Sequence, residues 1–161
     1  VPYYYDISLT SVTNGTTNTD NVHMLALTAA NQETMRLVEL GIGAVFTTAG
    51  SGYMKARTGA TAGSGGTAFT ATPRNARNPA AATVITTDDG AGVGITPGGT
   101  LKNRIIVGFS QNGNGGAWAA LNADHAVARQ ANAGANGNLE VATRALTATV
   151  IIALGAGFSE G

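Results

Sequence analysis

The chain contains no cysteine. That excludes disulfides, thiolate metal sites and cysteine nucleophiles. Charge is scarce as well: Asp, Glu, Lys and Arg make up 11% of the residues, against roughly 25% in an ordinary soluble domain. What charge there is cancels, with nine basic and nine acidic residues. A chain without net charge has no long-range field to grip nucleic acid or an anionic membrane. So sparse and balanced a set of charges also does little to keep molecules apart in solution. Contact with further copies or with a partner is one expectation; the alternative is a monomer whose surface is coated with Thr, Asn and Ser hydroxyls and amides. Long apolar runs are missing too. Ala145–Phe158 is interrupted by Thr and Gly and is shorter than the ~20 residues of a membrane span. The opening VPYYYDISLT has neither a basic start nor an apolar run, so it does not read as a signal peptide.

What is present is strand material. The chain has 161 residues, which predicts a single domain over 1–161 with a real core. YYYDISLTSV alternates, placing Tyr3, Tyr5, Ile7 and Leu9 on one face. Val22–Ala29 reads as a second strand. Thr34–Thr47 has a helical rival over Gln32–Leu40. Gly41 and Gly43 argue against a helix, and the alternation of Val38, Leu40, Ile42, Ala44 and Phe46 favours a strand. Gly52–Thr58 reads as an edge strand with Lys55 and Arg57 as edge charges. Leu101–Ser110 is a strand, and Gln111–Gly116 a hairpin turn by composition. Ala117–Gly134 is Ala-rich but carries no helical stripe, so it reads as strand, turn, strand. Leu139–Gly157 is one further stretch of strand, with Leu146, Ala148, Val150, Ile152 and Leu154 on one face.

About eight strands with no alternating helices predict an all-β fold. The expectation is a two-sheet antiparallel β-sandwich, jelly-roll-like, with a long central arm. That arm is Thr58–Thr87, rich in Gly, Ala, Thr and Pro and poor in large apolar side chains. Composition alone suggests disorder, but the strands on both sides belong to one core. The arm is thus expected to be a surface excursion. Gly63, Gly65 and Gly66 make its turn, Pro73 and Pro79 stiffen it, and Ala80–Thr87 returns as a strand.

No catalytic set emerges. His23 lies in an apolar strand and His125 beside Asp124, neither with metal-ligand spacing. Asp88 and Asp89 precede a glycine but lack a calcium-loop pattern. Gly63–Thr67 lacks the Lys-Ser/Thr of a phosphate loop. The acids Asp6, Asp20, Glu33, Glu39, Asp124 and Glu140 are scattered, so no carboxylate pair can be nominated. The reading is of a non-enzyme with no metal and no cofactor. The aromatic residues Tyr3, Tyr4, Tyr5, Tyr53 and Trp118 are candidates for core or interface anchors.

The arm also carries a resemblance. MKART leads into a Gly-rich turn, then G-G-T-A-x-T-x-x-P, then P-A-A-x-T-x-x-x-T. With RLVELGIGA (Arg36–Ala44) before it and LTATVIIAL (Leu146–Leu154) after it, this pattern resembles small virion structural proteins of tailed bacteriophages. The resemblance implies a capsid decoration, or cement, protein on the outside of the head. It implies major capsid protein as partner and self-association as a homotrimer, without direct contact to nucleic acid or membrane. The expected contacts are the N-terminal segment Val1–Asp6, with Tyr3, Tyr4 and Tyr5, the arm residues Arg74 and Arg77, and Trp118. Two other readings share the fold: a tail or fibre component, and a carbohydrate-binding module using Trp118 and Tyr53.

Overall fold

A computed structural model describes residues 2–14, 18–28, 34–46, 48–88, 94–111, 115–122, 125–130, 137–147 and 150–161. The long strands are β1 (Tyr3–Asn14), β2 (Asn21–Thr28), β3 (Thr34–Phe46) and β4 (Ser51–Gly59). The arm contributes β5 (Ser64–Gly65), β6 (Thr67–Phe69), β7 (Thr72–Pro73) and β8 (Val84–Thr87), followed by β9 (Ile95–Thr96). The chain closes with β10 (Lys102–Ser110), β11 (Gly115–Ala119), β12 (Val127–Gln130), β13 (Gly137–Ala145) and β14 (Val150–Glu160).

These strands form a sandwich of two antiparallel sheets. One runs β11-β3-β14-β1-β7, with β12 also on β3; the other runs β10-β4-β13-β2-β8-β6. Counting only β1, β2, β3, β4, β10, β11, β13 and β14, the first sheet takes these strands in the order sixth, third, eighth, first. The second takes them as fifth, fourth, seventh, second. That interleaving is jelly-roll connectivity.

Alternation builds the core. Tyr5, Ile7 and Leu9 of β1 meet Leu40, Ile42 and Ala44 of β3 and Ile152 and Leu154 of β14. From the other sheet come Met24, Met54, Ala56, Leu139 and Val141, all buried. Apolar burial of this kind is the main force holding two sheets face to face.

Four expectations need correction. β4 is not an edge strand: it lies between β10 and β13, and Lys55 and Arg57 are buried. Gln111–Gly116 does not make a hairpin, because β10 and β11 belong to different sheets. Leu139–Gly157 is two strands, β13 and β14, and Leu146 lies between them, 37% exposed. Val38 leaves the row of Leu40, Ile42 and Ala44. Gly157 pairs with Glu39 and Phe158 with Leu37, so Val38 is the extra residue of a bulge and the inward parity shifts there. Positions 112–114 and 131–136, expected as turns, lie outside the described residues.

The arm is folded into both sheets. β7 pairs with β1 at Tyr5 and Asp6, and β6 extends the other sheet from β8. Gly65 and Gly66 have φ of 86° and 80°, the left-handed region that glycine enters without cost. The arm's backbone is satisfied by side chains from the core strands. Glu160 accepts from the amides of Ala82 at 3.0 Å and Thr83 at 2.6 Å. Tyr5 donates its hydroxyl to the Pro79 carbonyl at 3.1 Å.

Candidate interaction surfaces

Beneath the arm lies an ion network. On β4, Met54 and Ala56 point into the core, so Lys55 and Arg57 point to the opposite face of the sheet. In β13, Leu139 and Val141 point inward, so Glu140 shares the outer face with Arg57, its register partner. Arg57 Nη2 donates to Glu140 Oε2 at 2.9 Å, and Nη1 to Asp20 Oδ2 at 2.9 Å. Asp20 also accepts from Lys55 Nζ and Arg144 Nε, each at 2.7 Å. Glu140 Oε1 takes the amide of Gly98 at 2.6 Å and the Asn138 side-chain amide at 3.1 Å. The β5–β9 ribbon is therefore fastened over Arg57 and Glu140 by a buried carboxylate. Burial alone would raise the Asp20 pKa; the hydrogen bonds and charges of Lys55 and Arg144 outweigh it and hold the carboxyl below its ordinary value. The grouping escaped the sequence reading, although the signal was there: K-x-R and E-x-x-x-R each put two charges on one face of a strand.

His23 is structural. It is 2% exposed, its Nε2 lies 2.7 Å from the Thr143 hydroxyl, and its Nδ1 has no hydrogen-bond partner among the described residues. Burial pushes its pKa down to about 4, against the pull of Asp88. His125 is exposed, with Nδ1 2.8 Å from Asn122 Oδ1. Among the described residues, no group of three or more His, Asp or Glu is placed to hold a metal ion.

The expected contact residues divide. Tyr5 is fully buried and stacks on Phe158 at 5.2 Å, so it belongs to the core rather than the surface. Trp118 pairs with Leu40 in register and packs, half-buried, against the core. Tyr53 is half-buried with Lys55 Nζ 5.1 Å from its ring centre. Arg74 is engaged within the chain: it bonds Asp6 at 2.6 Å and pairs with Glu39. Its guanidinium crosses Gly157, where a Cβ would lie 2.5 Å from Nη2. Tyr3 and Tyr4 remain exposed, 43% and 41%, and Arg77 is exposed too. With Pro2, Arg74, Asn75 and Asn78, the two tyrosines line a cleft of about 460 Å³. Structure thus brings the N-terminus and the arm together at one end of the sandwich.

A second surface lies on the outer side of β3 and β14. Two adjoining troughs of about 630 and 540 Å³ run along it, floored by Gly41, Gly155, Gly43 and Ala153. No family model matches the chain, and no curated protein or solved structure matches it either.

Proposed function

We propose that this chain is a structural protein of a tailed-bacteriophage virion. In this reading it is a decoration protein that sits on the outer capsid, associates with itself as a trimer and bridges major capsid subunits. The resemblance in the arm and its flanking strands motivates the reading. Viral capsid proteins are among the users of jelly rolls, as are lectins, so the fold alone does not decide.

The observation that carries the reading is the exposed Tyr3–Tyr4 pair joined to the arm. Aromatic side chains and arginine are the residues on which interface energy concentrates. Here they are presented on a rigid end, because Arg74 ties the arm to β1 and β3 and the Arg74 amide donates to the Tyr4 carbonyl at 2.9 Å. Many modest contacts, linked through one oligomer, sum to a strong hold on a shell. In the carbohydrate reading Trp118 and Tyr53, both half-buried, would supply the platform for a sugar ring. A tail station differs from a head station only in location. Purified virions of the encoding phage, imaged by electron cryomicroscopy, test the reading. Density for this jelly roll on the head shell is expected. Its presence on the tail alone, or its absence from particles, overturns the assignment.

A further inference from the structure

We propose that the β5–β9 ribbon is a strap that opens by itself, uncovering a row of charge while both sheets stay folded. The device belongs to the fold and is independent of any place in a virion. One row of side chains crosses the outer face of the second sheet in register: Arg57, Glu140, Leu25, Thr86 and Ala68. The ribbon lies along that row. Gly98 sits over Glu140 and gives Oε1 its amide at 2.6 Å. β9 lies against β2. A Cβ on Gly66 would fall 3.0 Å from the Thr86 hydroxyl oxygen. At the other margin Gly63 donates its amide to Asn138 Oδ1 at 3.3 Å, and Asn138 donates in turn to Glu140 Oε1 at 3.1 Å.

Two observations set the strap apart from the core. Its hold is polar. Ser64 pairs with Thr96 and Gly65 with Ile95. Ile95 is the one large apolar side chain of β5 and β9, and it is half-buried and outside the core cluster. Opening therefore gives up little apolar burial. Second, the row beneath is incompletely satisfied. Among the described residues three buried side-chain atoms lack a hydrogen-bond partner, and two of them, Arg57 Nε and Thr86 Oγ1, stand in this row. A buried polar group without a partner carries a penalty that exposure to water removes. Arg57 and Glu140 likewise regain the hydration that burial took from them. An element held by few apolar contacts over such a site opens below the free energy of global unfolding. The open state presents Arg57, Glu140 and Leu25 where the closed state presents neutral backbone. Whatever binds that row favours the open strap.

The test is native-state amide exchange of the whole chain in increasing, sub-denaturing urea. The amides of Gly63 and Gly98 report the strap, since both are bonded to side chains of β13. Leu139 and Ala156 report the two sheets. After correction for intrinsic rates, Gly63 and Gly98 should exchange together, at least about 100-fold faster than Leu139 and Ala156 and with a flatter dependence on urea. Thr86→Val removes the unpaired hydroxyl at nearly constant shape. It should slow exchange of the strap about tenfold more than that of the sheets. Equal protection and equal urea slope in strap and sheets overturn the proposal, because the strap then opens only with the whole fold. Independent exchange of Gly63 and Gly98 overturns it too, as does a Thr86→Val that slows strap and sheets alike. Should Thr86→Val fail to fold, the wild-type exchange decides.

Discussion

Arg57 and Glu140 face each other across β4 and β13, Nη2 to Oε2 at 2.9 Å, with the Glu140 side chain wholly buried. The ribbon that buries them is held by the same carboxylate, through the Gly98 amide. Cover and pair are therefore interdependent. Glu140→Gln keeps the size of the side chain, removes its charge and leaves Arg57 without its buried counter-ion. Breaking such a pair costs about 3–5 kcal/mol. For a domain of this length that is a fall of about 10 °C in Tm. Denaturant titration and amide exchange at Gly63 and Gly98 measure it, and exchange there should accelerate. The double variant Glu140→Gln/Arg57→Met should lose less than the two single losses summed. Additivity would show that the two residues act apart.

That network also marks the limit of what sequence made legible. Period-two alternation located the long strands and the class of fold, whereas Lys55 and Arg57 read only as edge charges. Alternation says which residues share a face; it does not say whether another layer covers that face. The layer here is made from Gly63, Ser64, Gly65 and Gly98, residues whose composition reads as empty. Their hold on the sheet comes from backbone amides, which carry no sequence signature. The break between β13 and β14 was hidden for a related reason. Leu146 and Thr147 fall in the connection with no Gly, Pro, Asn or Asp to announce a turn. Tyr5 was misplaced because three successive tyrosines look alike. Only the depth of the sandwich separates Tyr5, stacked on Phe158, from Tyr3 on the same side of the strand.

His23 predicts a pH dependence. Its ordinary pKa is 6.5, and burial lowers it to about 4 in the folded chain. As pH falls, the unfolded state binds the proton first, so protonation favours unfolding. Stability should hold above about pH 6.5 and decline down to about pH 4. The loss is roughly 3 kcal/mol, at ~1.4 kcal/mol per unit. Asp20, held below its ordinary 3.8, acts lower: its contribution is present above that value and is lost as pH falls further. Urea unfolding across pH 4–7 should therefore show a slope that His23→Gln flattens. An equal slope in that variant would assign the dependence to other groups.

Thr100 has φ of 51°, a conformation that costs a β-branched residue about 1–2 kcal/mol. Thr100→Gly should recover about 1 kcal/mol and raise Tm by about 2–4 °C. Two residues earlier the opposite holds. A Cβ on Gly98 would overlap the Thr61 carbonyl oxygen, and its amide is the one that Glu140 binds. Gly98→Ala should lower Tm, release the ribbon and speed amide exchange at Gly63. Thermal melts of the two variants, side by side, check both signs.

The tyrosine end gives the sharpest separation of fold from function. Tyr3 and Tyr4 are exposed, and exposed substitutions away from special features change stability by only about 0.5 kcal/mol. Tyr3→Ser/Tyr4→Ser should thus fold and melt like wild type. If these rings are anchors on a capsid, each is worth about 2 kcal/mol or more at the interface. The double variant should then bind purified heads at least about 100-fold more weakly, read as occupancy against added protein. Tyr5→Ala is the control of opposite kind. It removes a ring stacked at 5.2 Å on Phe158 and the hydroxyl bound to Pro79, so it should cost about 3–5 kcal/mol of stability. Arg77→Ala, at an exposed position of the arm, should weaken head binding without moving Tm. Full occupancy by Tyr3→Ser/Tyr4→Ser would move the contact away from this end of the sandwich.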